Sequence, residues 1–324
     1  MKVTRRQTLL ALALLAPGSL GLAAQSAHHG HTASPHASGT DSATDPAWLE
    51  QLSKWRAQRE QELSAPDGWL TLVGLEWLKP GPNSFGVAAD NPIRIRAKAP
   101  DHLGSLDVSG ATVKLVAPND GFPAEFQLDG KPAREAALTT DGAKPSTMTW
   151  HGVTMVVLTR GDRFALRIKD ADSPTRTGFR GLKWYAPNPS LRVTANWIPY
   201  SPPHVEEIPT LIGTTLHMPA PGIAEFTLHG KPMKLESVIE GNEQDKLFFI
   251  LRDTTSMTTT YEAARFLRTG LPSNGVGKPG TLTLDFNELY NPPCAYTPYA
   301  TCPLPPPQNR LNIPIEAGEQ RYSH

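Results

Sequence analysis

The sequence predicts a mainly-β protein, in which one N-terminal amphipathic helix precedes two packed β-sandwich or barrel-like units. Three observations predict it. From Trp69 onward, apolar and polar residues alternate with a period of two. Turn-forming residues recur about every ten positions, the rhythm of a sandwich. The stretch Ala124–Pro132 (Ala-Glu-Phe-Gln-Leu-Asp-Gly-Lys-Pro) returns 100 residues later as Ala224–Pro232 (Ala-Glu-Phe-Thr-Leu-His-Gly-Lys-Pro).

The helix opens at Asp45-Pro46, an N-cap followed by a proline at N1. Trp48, Leu52, Trp55 and Arg59 follow at helical spacing, and Leu49 and Leu63 widen the stripe. Glu50 and Lys54 form an i,i+4 pair, and Pro66-Asp67-Gly68 ends the element. Strands follow in Ile93–Arg96, Val113–Leu115 and Phe126–Leu128, the last running into Asp129-Gly130, a type I′ hairpin signal. Val153–Leu158 and Phe164–Ile168 flank Gly161-Asp162 as a second hairpin. Val193–Trp197, Lys246–Leu251 and Leu282–Phe286 complete the strand set. The echo at 100 residues reads either as a duplicated β unit or as two hairpins that converged on one turn, since hairpin turns draw on few residue types. The expected organisation is an export signal over residues 1–26, a linker over 27–44, a helix plus β unit over 45–140, and a second β unit over 141–324.

The first residues read as an export signal. Thr4-Arg5-Arg6-Gln7-Thr8-Leu9-Leu10 is twin-arginine-like, the apolar run Leu9–Leu15 follows, and small residues from Gly18 to Ala24 supply a cleavage zone. An ordinary secretory signal is the other reading, and either one sends the protein to the periplasm or outside the cell. Loss of Lys2, Arg5 and Arg6 takes the formal charge from 31 − 31 = 0 to 28 − 31 = −3. A near-neutral chain without a basic stripe has no electrostatic footprint for nucleic acid. No apolar run reaches the length of a membrane span. Residues 27–44 are rich in Ser, Thr and His, and lack the apolar content to fold. Within them His28, His29, His31 and His36 make either a solvated tether or a weak metal chelator. The two cysteines, Cys294 and Cys302, read as a disulfide in an oxidising compartment or as unpaired structural thiols, rather than as a metal site, since a lone C-x7-C is poor zinc spacing.

The most distinctive segment is Asp285–Pro305, where Asn287, Tyr290, Asn291, Tyr296 and Tyr299 alternate with prolines and with both cysteines. So many prolines supply few ladder N–H groups, so order there must come from tertiary packing. Together with Gly68–Leu78, Arg160–Arg163, Asp253-Thr254, Tyr261, Arg265–Leu267, Asn309 and Gly318-Glu319, this segment resembles bacterial domain-of-unknown-function family 1684, from about Trp48 to Tyr322. The resemblance implies a common architecture and no particular activity. The order Gly81, Gly86, Asn91-Pro92-Ile93, Pro100-Asp101-His102 and Asp129-Gly130 also resembles a degenerate forkhead-associated domain. Val87 stands where that family has an arginine and no Ser-Arg pair precedes His102, so the residues that read phosphothreonine are missing.

Candidate site residues lie on or beside the strands. Arg163, Arg167 and Lys169 share one face of the second hairpin. Asp170, Arg180 and Trp184 follow, and Asp253, Tyr261, Arg265, Asp285, Asn287, Tyr290 and Asn291 come later. Converged, they would make a pocket of guanidinium, carboxylate, amide and phenol groups suited to a small polar or anionic ligand. Kept apart, they are a buried Arg–Asp lattice that holds loops to the sandwich. G-x-S-x-G, H-E-x-x-H, P-loop and G-x-G-x-x-G motifs are absent. His102, His151, His204, His217, His229 and His324 are scattered, with no pair at metal-ligand spacing, and His204 stands out only as a lone acid or base. No metal site and no cofactor is specified, and oligomeric state is open. Two functions follow: an exported β-rich binding or scaffold protein, or a periplasmic hydrolase using a carboxylate of the same pocket.

Overall fold

A computed structural model describes residues 45–140 and 144–323. The export segment, the His-rich linker and His324 lie outside the described residues. The helix α1 (Pro46–Leu63) starts as expected: Asp45 accepts the N–H of Ala47 at 2.9 Å, with Pro46 behind it. It buries Trp48, Leu52 and Leu63. Its end is set by crowding, because a Cβ at Gly68 would stand 2.4 Å from the carbonyl oxygen of Leu63.

The strands are β1 (Leu72–Trp77), β2 (Gly81–Gly86), β3 (Ile93–Arg94), β4 (Gly104–Ser109), β5 (Thr112–Val116), β6 (Gln127–Leu128), β7 (Lys131–Pro132), β8 (Ala136–Ala137), β9 (Thr147–Trp150), β10 (Val153–Arg160), β11 (Arg163–Asp170), β12 (Arg192–Pro209), β13 (Thr215–Leu228), β14 (Lys231–Ser237), β15 (Leu247–Leu251), β16 (Arg265–Thr269) and β17 (Gly280–Asp285). A single helical turn, α2 (Pro174–Thr177), follows β11. The sheets run β1-β11-β10-β9-β6-β7, β3-β2-β4-β5-β8, β14-β13-β12-β17 and β15-β16. The protein is therefore mainly β, with one long helix before the sheets.

Two large cores lie between these layers. The first takes residues from Leu78 to Ile168, including Phe85, Phe126, Met155 and Leu166. The second takes residues from Leu191 to Ala317, including Trp197, Phe226, Phe249 and Phe286. Strands on both sides of the expected joint near residue 140 pair in one sheet and share the first core.

The echoed segments form one turn twice. Asp129 and Gly130 have φ of 53° and 73°, and His229 and Gly230 have φ of 50° and 72°, the paired positive angles of a type I′ hairpin. Their contexts differ: β6 and β7 are two-residue stubs, whereas β13 and β14 form a long arm. The Gly161-Asp162 hairpin joins β10 to β11 in continuous register from Val153 opposite Asp170 to Arg160 opposite Arg163. The strand β15 is buried along its whole length; it pairs with β16 on one edge and, at Phe248, exchanges two backbone hydrogen bonds with Val238 on the other. Its all-apolar run suits a strand covered on both faces.

The tail is held by isolated backbone bridges, Phe266 with Tyr290, Thr210 with Pro303 and Arg252 with Arg310, and by side-chain bonds, not by long ladders. Among the described residues no helix is long and apolar enough to cross a membrane.

Candidate functional site

One face of α1, carrying Trp48, Gln51, Trp55, Gln58, Arg59 and Glu62, roofs a cavity of about 1150 Å³. Helical spacing of three and four puts these residues in one stripe. Below them the wall is built by Trp69, Arg160 of β10, Arg167 of β11, Arg192 of β12, Lys246, and Arg268 of β16. The tail closes it with Asp285, Glu288, Tyr290, Pro293 and Ala300–Pro303.

The ends of the cavity differ electrostatically. At one end Asp285 Oδ2 accepts the indole N–H of Trp48 at 2.6 Å and lies 3.6 Å from Arg192 Nε. Its Oδ1 accepts the Asn287 backbone and side-chain N–H groups at 3.0 and 2.9 Å. Glu288 is next in the same turn. Burial, and then the charge of Asp285, push its carboxyl up to about 7, against the pull of Arg192. At the other end Arg268 is held by Glu240 and by Glu243 at 2.5 Å, and its Nε donates to Tyr290 Oη at 3.0 Å. Between them Arg59 lies over the Tyr290 ring at 4.6 Å and donates to the Asn291 carbonyl at 2.9 Å. Burial pulls the Arg59 guanidinium down, but Tyr296, Glu319 and Tyr290 outweigh it.

Of the sequence-predicted site residues, Arg167, Asp285 and Tyr290 line this cavity. The others are placed elsewhere. Arg163 stacks over Trp77 at 3.8 Å, while Arg167 and Lys169 stack over Trp69 at 5.4 and 5.5 Å, so the shared hairpin face is covered by tryptophans of the neighbouring segment. Asp170 Oδ1 caps the N–H of Asp172 at 2.9 Å. Arg180 is exposed and bonds the Phe179 carbonyl at 3.0 Å. Trp184 donates to Glu60 at 3.1 Å beneath Arg56. Tyr261 donates to the Cys294 carbonyl at 3.1 Å.

Asp253 and Arg265 form a fully buried ion pair at 2.9 Å. Arg265 also bonds the carbonyls of Ile315, at 2.9 Å, and Ala317. This pair is the lattice reading realised: it ties the tail to β16. Asn287 pins Asn188, accepting its N–H at 2.8 Å and donating to its carbonyl at 2.9 Å. Asn291 donates to Glu319 at 3.0 and 2.9 Å. Glu319 is wholly buried, its carboxyl raised by burial, and takes a further bond from Tyr296. Asp285 and Tyr290 of the tail thus meet Arg192, Arg59 and Arg268.

The expected disulfide is also corrected: both cysteines are free, and the Sγ of Cys302 accepts the backbone N–H of Cys294 at 3.1 Å. Sequence reasoning passed over Glu288, Arg192 and Arg268. Glu288 sits three residues past Asp285 in the distinctive tail, and only burial distinguishes it from any surface glutamate.

No curated protein matches the chain. Among solved structures, the solution NMR structure of an uncharacterized protein of Haloarcula marismortui is 29% identical over 46% of this chain and 80% of that chain, with a TM-score of 0.39. A family model described as a protein of unknown function (DUF1684) matches residues 177–320, which takes in the second core and the tail and stops short of the expected span from Trp48.

Proposed function

We propose that this chain is an exported binding protein whose cavity beneath α1 holds a small polar ligand with a carboxylate or phosphate group beside a flat apolar part. The carrying observation is the wall: Arg59, Arg160, Arg167, Arg192, Lys246 and Arg268 line one space with the rings of Trp48, Trp55, Trp69 and Tyr290. Guanidinium forks match carboxylate and phosphate oxygens, and indole faces stack on planar groups. The volume of about 1150 Å³ lies just above the usual range for a small-molecule site. Export to the periplasm or beyond rests on Arg5-Arg6 and the apolar run behind them. Mass spectrometry of natively purified protein tests the reading. An anionic small molecule should be released from the wild type and be absent from an Arg192→Ala, Trp55→Ala variant. A wild-type chain that carries nothing, and whose melting temperature no carboxylate or phosphate compound raises, would sink it.

A second reading follows from Glu288. A carboxyl pushed up to about 7, with a second carboxyl of Asp285 in the same turn, is the kind of pairing that hydrolases of glycosidic bonds use, one group as acid and one as base or nucleophile. Hydrolysis of an aryl glycoside that Glu288→Gln abolishes, with ligand retention intact, would move the protein from binder to enzyme.

A further inference from the structure

A second cluster of chemistry-bearing side chains lies on β12 and β14, apart from the cavity wall. The pairing of β12 with β13 slips between Pro199, opposite Gly222, and His204, opposite Ala220. The surplus residues of β12 bulge, and a bulge re-aims the side chains beside it. His204 and Glu206, two apart on the strand, share a face and meet Glu236 of β14. His204 Nε2 lies 3.3 Å from Glu206 Oε2 and 3.1 Å from Glu236 Oε1.

The remaining carboxylate oxygens are held outward. Gln308 Nε2 donates to Glu206 Oε1 at 2.9 Å and to Glu236 Oε2 at 3.0 Å. Tyr200 Oη donates to the same Glu236 oxygen at 3.0 Å. Asn309 grips the Glu236 backbone from both sides, accepting its N–H and donating to its carbonyl, each at 2.8 Å. The turn at residues 307–309 is thus wrapped around this one glutamate.

Three properties point to a cation. One nitrogen and two carboxylate oxygens fall within 4.8 Å of one another. A tetrahedral ion with bonds of about 2.0–2.1 Å needs ligand atoms about 3.3 Å apart, and two of the separations here are 3.1 and 3.3 Å. Glu236 is only 7% exposed, yet among the described residues neither it nor Glu206 pairs with a lysine or arginine. Buried carboxylates ordinarily find a cation or a metal, whereas Gln308 and Tyr200 are neutral. Finally, outer oxygens held by hydrogen bonds leave the inner ones aimed at a single point, as partners behind metal ligands do.

We propose that His204, Glu206 and Glu236 bind a divalent transition-metal ion of the zinc class, with its fourth position open to solvent on the exposed side of His204. An imidazolium clasped by two carboxylates is the arrangement to be distinguished from it. The full chain is dialysed against Zn²⁺ or Co²⁺, and bound metal per chain is counted, with the visible absorption of Co²⁺ reporting tetrahedral ligation. The wild type should hold one ion more than His204→Ala or Glu206→Gln, with circular dichroism showing each variant folded. Gln308→Leu keeps all three ligands and should weaken binding by about 10–100-fold. A His28→Ala, His29→Ala, His31→Ala, His36→Ala variant loses any ion held by the linker and should keep this one. Equal stoichiometry in the wild type, His204→Ala and Glu206→Gln overturns the proposal. So does a linker variant that binds no ion.

Discussion

The indole N–H of Trp48 reaches the carboxylate of Asp285 at 2.6 Å across 237 residues of chain, and so joins the first helix to the end of the last strand. Both residues are buried, so little water competes for the bond. Trp48→Phe keeps most of the ring and deletes the donor. It should cost about 1.5–3 kcal/mol, the range for a hydrogen bond to a charged group. Urea unfolding with an unchanged slope is the check. Loss of helix docking should also open the cavity roof, which faster proteolysis within residues 46–63 would report.

The Asp253–Arg265 pair is a harsher test. Arg265→Met leaves Asp253 charged and buried, with the tail carbonyls of Ile315 and Ala317 deprived of their donor. The expected loss is about 3–5 kcal/mol. Adding Asp253→Leu to it should recover part of the loss, since no uncompensated charge remains. A double variant no better than Arg265→Met in thermal unfolding would contradict this account.

Glu288 should leave a pH signature on stability. Its carboxyl titrates near 7 when folded, against an ordinary value of 4.5. The folded state therefore holds the proton more tightly, and stability falls as pH rises from about 4.5 to about 7, then levels off. Glu288→Gln removes this slope. The difference curve between the two proteins should span about 2 kcal/mol after discounting for the solvent-facing side of the group. Parallel curves over that window would refute the shift.

The thiols should react unequally. Cys294 is half-buried, and hydrogen bonding with Cys302 lowers its thiol below the ordinary value. Cys302 is buried and is raised by the same partner and by burial. Brief alkylation of the folded chain followed by peptide mass spectrometry should label Cys294 first, with Cys302 labelled only after unfolding. Equal labelling would show that the tail opens as readily as it closes.

Parts of this fold were legible from local chemistry. Asp45-Pro46 announced the helix, Asp129-Gly130 its hairpin, and Gly161-Asp162 another. Each rests on backbone preferences that neighbours alone decide. The arm of β12 and β13 was legible only over Val193–Trp197 and in the echoed hairpin that begins at Ala224. Pro199, Pro202, Pro203, Pro219 and Pro221 remove ladder donors and break the alternation, so the rest does not read as strand. The expected ion-pair lattice exists at Asp253 and Arg265. The cavity lies elsewhere, because residue type alone cannot separate an arginine that is walled in from one that faces a void.

The sequence by itself determined the secondary-structure class, the helix start, the tight turns and the tail whose order must come from packing. These follow from periodicity and from φ preferences, which act over a few residues. Only the tertiary structure decided that α1 roofs a cavity, that Glu288 is half-buried near Asp285, and that His204, Glu206 and Glu236 meet. Those facts depend on which surfaces exclude water and on which strands slip in register, and such terms are set by residues tens to hundreds of positions apart.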